Sequence, residues 1–247
     1  MLRYGITPVF VLEGDAPDAK MGRLQQRSLA RGFGGAAGGN RRGGPHDILG
    51  RRVVELLDLM GLPHVDAPGE AEAMCAALTA VGLADAAVTT DVDCLLFGAT
   101  AVYKDLGLSM DTPRNNALEK VEAVEAAKRC FGLRGGGGCA QALQAVALLA
   151  GCDYQVDGGR GVGVGGALDA VQALTLGRQV GKGRGVGGER SRGGTAAAAA
   201  TPSFRADVDT TLAAFRSETQ RATRMAAQLR RDGGALSSVG SSGASGA

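Results

Sequence analysis

At 247 residues, 45% of them apolar, the chain can hold one large domain or two small ones and can bury a core. Its formal net charge of +2 is too small to imply a polyanionic partner by itself, so a nucleic-acid role has to come from local clustering of charge. The 41 glycines, set against 4% aromatic residues and no tryptophan, concentrate in 31–44, 134–138 and 177–194, which read as loops or disordered inserts.

In chain order, "PVFVLEG" (8–14) is a short apolar run closed by a turn and reads as a buried parallel strand. It is far too short for a signal sequence or a membrane span, so a soluble cytoplasmic or nuclear protein with no membrane partner is expected. "DILGRRVVELLDLMG" (47–61) places Ile48, Val53, Leu56, Leu57 and Met60 at helical spacing, with Asp47 as N-cap and Gly61 as terminator. "LPHVDAP" holds a short strand, 69–81 a helix, and "DAAVTT" (85–90) a second buried strand. Strands alternating with helices predict an α/β domain with a mainly parallel sheet. Residues 141–152 form an apolar helix, and "GGRGVGVGGAL" (158–168) a glycine-rich hairpin leading into a helix from about Gly166. Further on, Phe204, Val208, Leu212, Phe215, Met225 and Leu229 stand at helical steps, an amphipathic helix suited to packing on the domain or to a partner contact.

The five cysteines, Cys75, Cys94, Cys130, Cys139 and Cys152, form no CxxC pair and read as reduced thiols rather than a disulfide or zinc framework. His46 and His64 are isolated, which leaves little for zinc or Ser/His chemistry.

The acidic residues are more telling. Glu13 closes the first strand, while Asp91 and Asp93 in "TTDVDCLLFG" follow directly on the second, where open α/β sheets bind ligands. Residues two apart in an extended segment share a face, so Asp91 and Asp93 can point into one crevice. Glu70 and Glu72 open the helix in "APGEAEAMCAAL". Carboxylates in a first helical turn are also ordinary complements of the macrodipole, and on a regular helix these two diverge, so convergence needs Glu70 at an irregular start. Asp153 in "LLAGCDY" ends the apolar helix. Gathered carboxylates repel unless divalent cations lie between them, and hard cations such as Mg²⁺ take oxygen ligands. Paired ions about 3.5 to 4 Å apart activate water and stabilise an in-line phosphoryl displacement. Lys20, Arg23, Arg27 and Arg31 fall at steps of three and four, one basic helix face. Such a face is commonly just solvated; beside a metal site it reads as phosphate recognition. In the hairpin of 158–168, backbone amides and a helix N-terminus offer a phosphate grip, although a glycine-rich turn is more often only a turn.

Three blocks, "YGITPVFVLEGDAPDAK", "GLPHVDAPGEAEAMCAALTAVGLADAAVTTDVDCLLFGATAVYKDL" and "ALLAGCDYQVDGGRGVGVGGALDAV", together resemble the flap endonuclease and xeroderma pigmentosum G family of structure-specific 5′ nucleases, in order and in spacing. The resemblance covers roughly residues 2–175. "EAEAMCAAL", "GATAVYKDL" and the Glu in "VLEG" look most like the Holliday junction resolvase branch.

This resemblance implies a PIN-like 5′-nuclease fold with a helix-hairpin-helix type DNA-binding element. It implies two-metal hydrolysis of flap or four-way junction DNA in nuclear DNA repair or recombination. Glu13, Glu70, Glu72, Asp91, Asp93 and Asp153 become ligands of two Mg²⁺ ions, with Mn²⁺ as a substitute. Lys20 and Arg27 match family residues that reach toward the scissile phosphate. Gly161, Gly163 and Gly165 fall in the element that grips duplex DNA with a K⁺ ion, with Gly165 where the family often has Lys. Dimerisation on four-way junctions is a further implication. The organisation expected is a nuclease segment over 1–140, the hairpin element over 141–176, a Gly/Ala-rich linker over 177–202, an amphipathic helix over 203–231 and a disordered tail over 232–247. Family members carry a strand and a first catalytic Asp before the equivalent of "LRYGITPVF", where this chain has Met1, so an N-terminally truncated domain is expected. A catalytically weak DNA-binding fragment and a PIN-like ribonuclease stand as the alternative functions.

Overall fold

The computed structural model describes residues 5–15, 17, 20, 48–104, 119–133, 138–155, 158–159, 161–175 and 202–232. Arg23, Arg27 and Arg31, the cap expected at Asp47, His46 and most of the glycine-rich inserts lie outside the described residues.

Strand β1 (Phe10–Leu12) runs parallel to β2 (His64–Asp66), with Val11 opposite Val65. Helix α1 (Ile48–Leu59) lies between them in sequence. A second small sheet has β3 (Ala87–Val88) parallel to β4 (Ala101–Lys104), which pairs antiparallel with β5 (Glu119–Glu122). Two of the three pairings among the described residues are therefore parallel. Both strands expected to be buried are shorter than the sequence suggests, and Phe10 and Val88 are 38% and 46% exposed. The reason is position: β1 belongs to a two-stranded ribbon and β3 to a sheet edge, so neither is covered on both faces.

The core forms around α2 (Ala71–Ala80), where Ala73, Met74, Ala76, Ala77 and Leu78 are buried against Val65, Leu95, Phe97 and Val102. Its alanines let another helix approach closely, and α6 (Pro202–Arg231) does so, inserting Phe215, Ala222 and Ala226. The two helices run in the same direction. Glu218 of α6 meets the N-terminal end of α2, accepting the Glu70 backbone N–H at 3.1 Å, and Arg230 Nη1 donates to Val81 O at 2.9 Å beyond its C-terminal end. Carboxylate and guanidinium thus satisfy groups that a helix leaves unpaired, each with the sign its dipole favours.

A second core joins α3 (Ala123–Phe131), α4 (Cys139–Ala150) and α5 (Val164–Thr175) through Phe131, Ala142, Val146, Ala167 and Val171. Gln172 Nε2 and Thr175 Oγ1 of α5 donate to the carbonyls of Cys130 and Phe131 at 2.6 and 3.1 Å, closing the end of α3. Helix α5 begins at Val164, two residues before the expected start, so Gly165 belongs to its first turn and not to the hairpin. Gly161 and Gly163 remain in the exposed loop. His64 is buried in β2, its Nδ1 3.9 Å from Asp58 Oδ1, and all five cysteines are free thiols.

Candidate metal centre

Glu13 and Glu70 meet because the β1 to β2 pairing continues past the strands. Ala67 N–H donates to Leu12 O at 2.8 Å and Gly14 N–H to Gly69 O at 2.9 Å, a backbone ladder that sets the end of β1 beside the start of α2. Gly14 is required there, since a Cβ on it would lie 2.2 Å from Ala67 O and 2.8 Å from Gly69 O. Glu70 is the N-cap of α2 with extended backbone, φ −64° and ψ 130°, and makes no side-chain cap of its own. That irregular start turns its carboxylate toward Glu72 in the first helical turn instead of away from it. Carboxylate oxygens of Glu13, Glu70 and Glu72 all lie within 4.8 Å of one another.

The group is electrostatically tight. Burial, then the Glu70 and Glu72 carboxylates, push Glu13 up to about 7, against weaker pulls from the Ala71 N–H and Lys20. Glu13 Oε2 accepts that Ala71 N–H at 3.2 Å, so it also caps α2. Burial pushes Glu70 up as well, although the Lys20 ammonium holds it down. Lys20 Nζ donates to Glu70 Oε2 and lies 4.8 Å from the centroid of the Tyr154 ring. Burial pulls the ammonium down, but Glu70, Glu72 and Asp153 outweigh it, so Lys20 is raised and stays charged. Three mutually close carboxylates, all hard oxygen donors with Lys20 as a compensating cation among the described residues, suit a divalent ion of the Mg²⁺ type.

Asp91, Asp93 and Asp153 do not join that close group. Asp93 opens a 3₁₀ turn (Asp93–Leu95) instead of continuing the strand, and its backbone N–H donates to Asp91 Oδ1 at 3.0 Å. Val92 has φ −89° and ψ 1°, so the expected extended segment is replaced by a turn in which Asp91 accepts a local bond. Burial, then Asp91, raise Asp93 to about 6, with lesser contributions from Asp153 and Glu72 and an opposing one from Lys20. Lys20 is therefore within electrostatic reach of both the glutamate trio and the aspartates. Asp153, half-buried, follows α4 in the turn that carries Tyr154.

One carboxylate at the site was not read from the sequence. Glu218 of α6, 3% exposed, accepts the Glu70 N–H and pairs with Arg221 Nη1 at 3.0 Å, while Arg221 Nη2 donates to Pro68 O. The available signal was a charge inside an apolar stripe: Thr211, Phe215, Ala222 and Ala226, its neighbours at helical steps, are all buried.

Residues 61–153 match the family described as the XPG I-region. The chain is 36% identical over 169 residues to flap endonuclease GEN homolog 1 of Homo sapiens, covering 67% of this chain and 18% of that protein. It is 34% identical over 190 residues to flap endonuclease 1 of Aedes aegypti, covering 69% of this chain and 47% of that protein. Among solved structures, the catalytic core of Rad2 in complex with DNA substrate matches with a TM-score of 0.53 and 32% identity, over 72% of this chain and 50% of that one. Flap endonuclease-1 from Methanococcus jannaschii shares the fold, with a TM-score of 0.51 at 24% identity over 71% of this chain and 57% of that one. The chain thus spans less than half the length of these two curated relatives. Its architecture is that of the PIN-like 5′ nucleases, and the stretch that carries Glu70, Glu72, Asp91, Asp93 and Asp153 matches the XPG I-region and is similar to that of the flap endonucleases.

Proposed function

We propose that this chain is the nuclease part of a structure-specific DNA endonuclease that hydrolyses a phosphodiester of flapped or four-way junction DNA, acting in the nucleus in DNA repair or recombination. The observation that carries this reading is the convergence of Glu13, Glu70 and Glu72 within 4.8 Å, with two of the three inside the matched I-region. Glu13, Glu70, Glu72, Asp91, Asp93 and Asp153 would together hold two Mg²⁺ ions, directly or through water, with Mn²⁺ able to replace them. Bound there, the ions supply water activation and charge neutralisation for in-line displacement at phosphorus.

The chain's own groups bind and orient the substrate. The charged Lys20 ammonium, next to Glu70, meets a phosphate oxygen as DNA enters, and Arg23, Arg27 and Arg31 extend that contact along the backbone. The exposed loop with Gly161 and Gly163, followed by the N-terminus of α5 with Gly165, grips duplex phosphates in the manner of a helix-hairpin-helix element and takes K⁺. Two copies on one four-way junction would cut both strands.

The test is incubation of the chain with labelled 5′-flap DNA, four-way junction DNA and RNA of matching sequence, with and without Mg²⁺. Mg²⁺-dependent incision at the branch, lost in Glu70→Gln and Asp91→Asn with DNA binding in Ca²⁺ retained, is the expected result. Cleavage of RNA but not branched DNA, or full turnover by either variant, would overturn the proposal.

A further inference from the structure

A capping box closes many helix N-termini, with a Glu or Gln at the third helical position reaching back to the N-cap N–H. In α2 that position is Ala73, and the Glu70 N–H is taken instead by Glu218, 148 positions further along the chain. Gly69 is what lets the carboxylate arrive: a Cβ there would lie 2.0 Å from Glu218 Oε2. Arg221 holds the other oxygen of Glu218 and donates to Pro68 O, so the turn 68–70 is tied on both sides by neighbouring residues of one helix. Burying a carboxylate at 3% exposure, in a stripe otherwise apolar, is unfavourable unless the group is fully bonded, and a plain helix contact would be served by another alanine.

From this arrangement we infer that Glu218 and Arg221 are positioning residues of the metal centre. They fix the extended backbone of Glu70 so that its carboxylate meets those of Glu13 and Glu72. The inference rests on the metal-centre reading above. Side chains that orient metal ligands through a second hydrogen bond typically change metal affinity about 10- to 100-fold when removed. Here the link runs through the ligand's own backbone, and it makes α6 part of the site.

The test is Mn²⁺ affinity of the full chain, followed by loss of the free-ion paramagnetic resonance signal, beside the melting temperature without metal. Glu218→Ala should weaken Mn²⁺ binding by about tenfold. Glu218→Gln, which keeps an oxygen for the Glu70 N–H, should recover most of the wild-type affinity. Arg230→Ala loosens the same helix pair at its far end, and should lower the melting temperature while leaving Mn²⁺ affinity unchanged. If Glu218→Ala does not fold, Gly69→Ala displaces the carboxylate by its Cβ and should show the same loss. Equal affinity in wild type and in the Glu218→Ala or Gly69→Ala protein would overturn the positioning role and leave the metal centre standing. So would a Gln variant as weak as Ala. A wild-type chain that binds no Mn²⁺ would overturn the metal centre itself, and the positioning role with it.

Discussion

Lys20 and Glu70 form an ion pair against the face of Tyr154, with side chains 16% and 3% exposed and the ammonium 4.8 Å from the ring centroid. The pair sets one positive charge among carboxylates that otherwise face one another. Removing Lys20 orphans a buried charge, so Lys20→Met should lower stability to urea by about 2 kcal/mol, below the cost of breaking a fully buried pair because the lysine is partly wet. Saturating Mg²⁺ should restore most of that loss, as a second cation for the same carboxylates. An undiminished urea midpoint in the metal-free variant would contradict this.

Glu13 and Asp93 dictate a pH dependence. Their ordinary values are 4.5 and 3.8, and in the folded chain they rise to about 7 and about 6, burial being the larger cause in each. Both hold protons in the folded state that the unfolded chain has already released. Their contribution to stability is therefore whole below the unfolded values and is lost as pH climbs through the folded ones. Urea unfolding in EDTA should show wild type losing stability relative to Glu13→Gln between about pH 5 and about pH 8. Mn²⁺ affinity of the wild type should rise over the same window, because a cation competes with those protons. A constant difference between the two proteins across this range would refute the assignment for Glu13.

Gly14→Ala tests the ladder that carries Glu13. The added Cβ would collide with the backbone oxygens of Ala67 and Gly69 at 2.2 and 2.8 Å, and neither is the end of a flexible side chain. The Gly14 to Gly69 bond should break, at a cost of about 2 to 3 kcal/mol, with loss of Mn²⁺ binding. Proton exchange of the Gly14 amide, which its bond to Gly69 O should protect in wild type, should speed up in the variant, and equal exchange in the two proteins would exclude the mechanism.

Phe215→Ala should detach α6. Phe215 is 1% exposed, with ring centroids 4.5 Å from Tyr154 and 5.4 Å from Phe97. Truncating a buried aromatic residue costs about 3 to 5 kcal/mol. Trypsin should then cut at the arginines of α6 faster than in wild type, and an unaltered cleavage pattern would show that α6 stays docked without its anchor.

Local pattern carried much of this molecule. Helical geometry required an irregular start at Glu70 if Glu70 and Glu72 were to converge, and α2 has that start. The spacing around Phe215 marked the buried face of α6. Two features escaped because they depend on partners remote in sequence or on a competing local bond. Alternation suggested that Asp91 and Asp93 share a strand face, but an Asp side chain that takes the N–H two residues on favours a turn, and the turn won. Glu218 stands in the sequence as a charge inside an apolar stripe, with nothing local to name its partner. Only the docking of α6 on α2 shows that it faces Glu70.

The bond from Glu218 to Glu70 also fixes an order of assembly. It closes a loop of 148 residues, and so distant a contact forms late, after the local helices and hairpins. A nascent chain that has packed α2 against Val65, Leu95 and Val102 still has a loose turn at 68–70 until residue 221 has been synthesised and α6 has settled on α2. The convergence of Glu70 with Glu13 and Glu72 would then await the docking of α6, so that a half-made chain carries the acidic side chains without their final geometry.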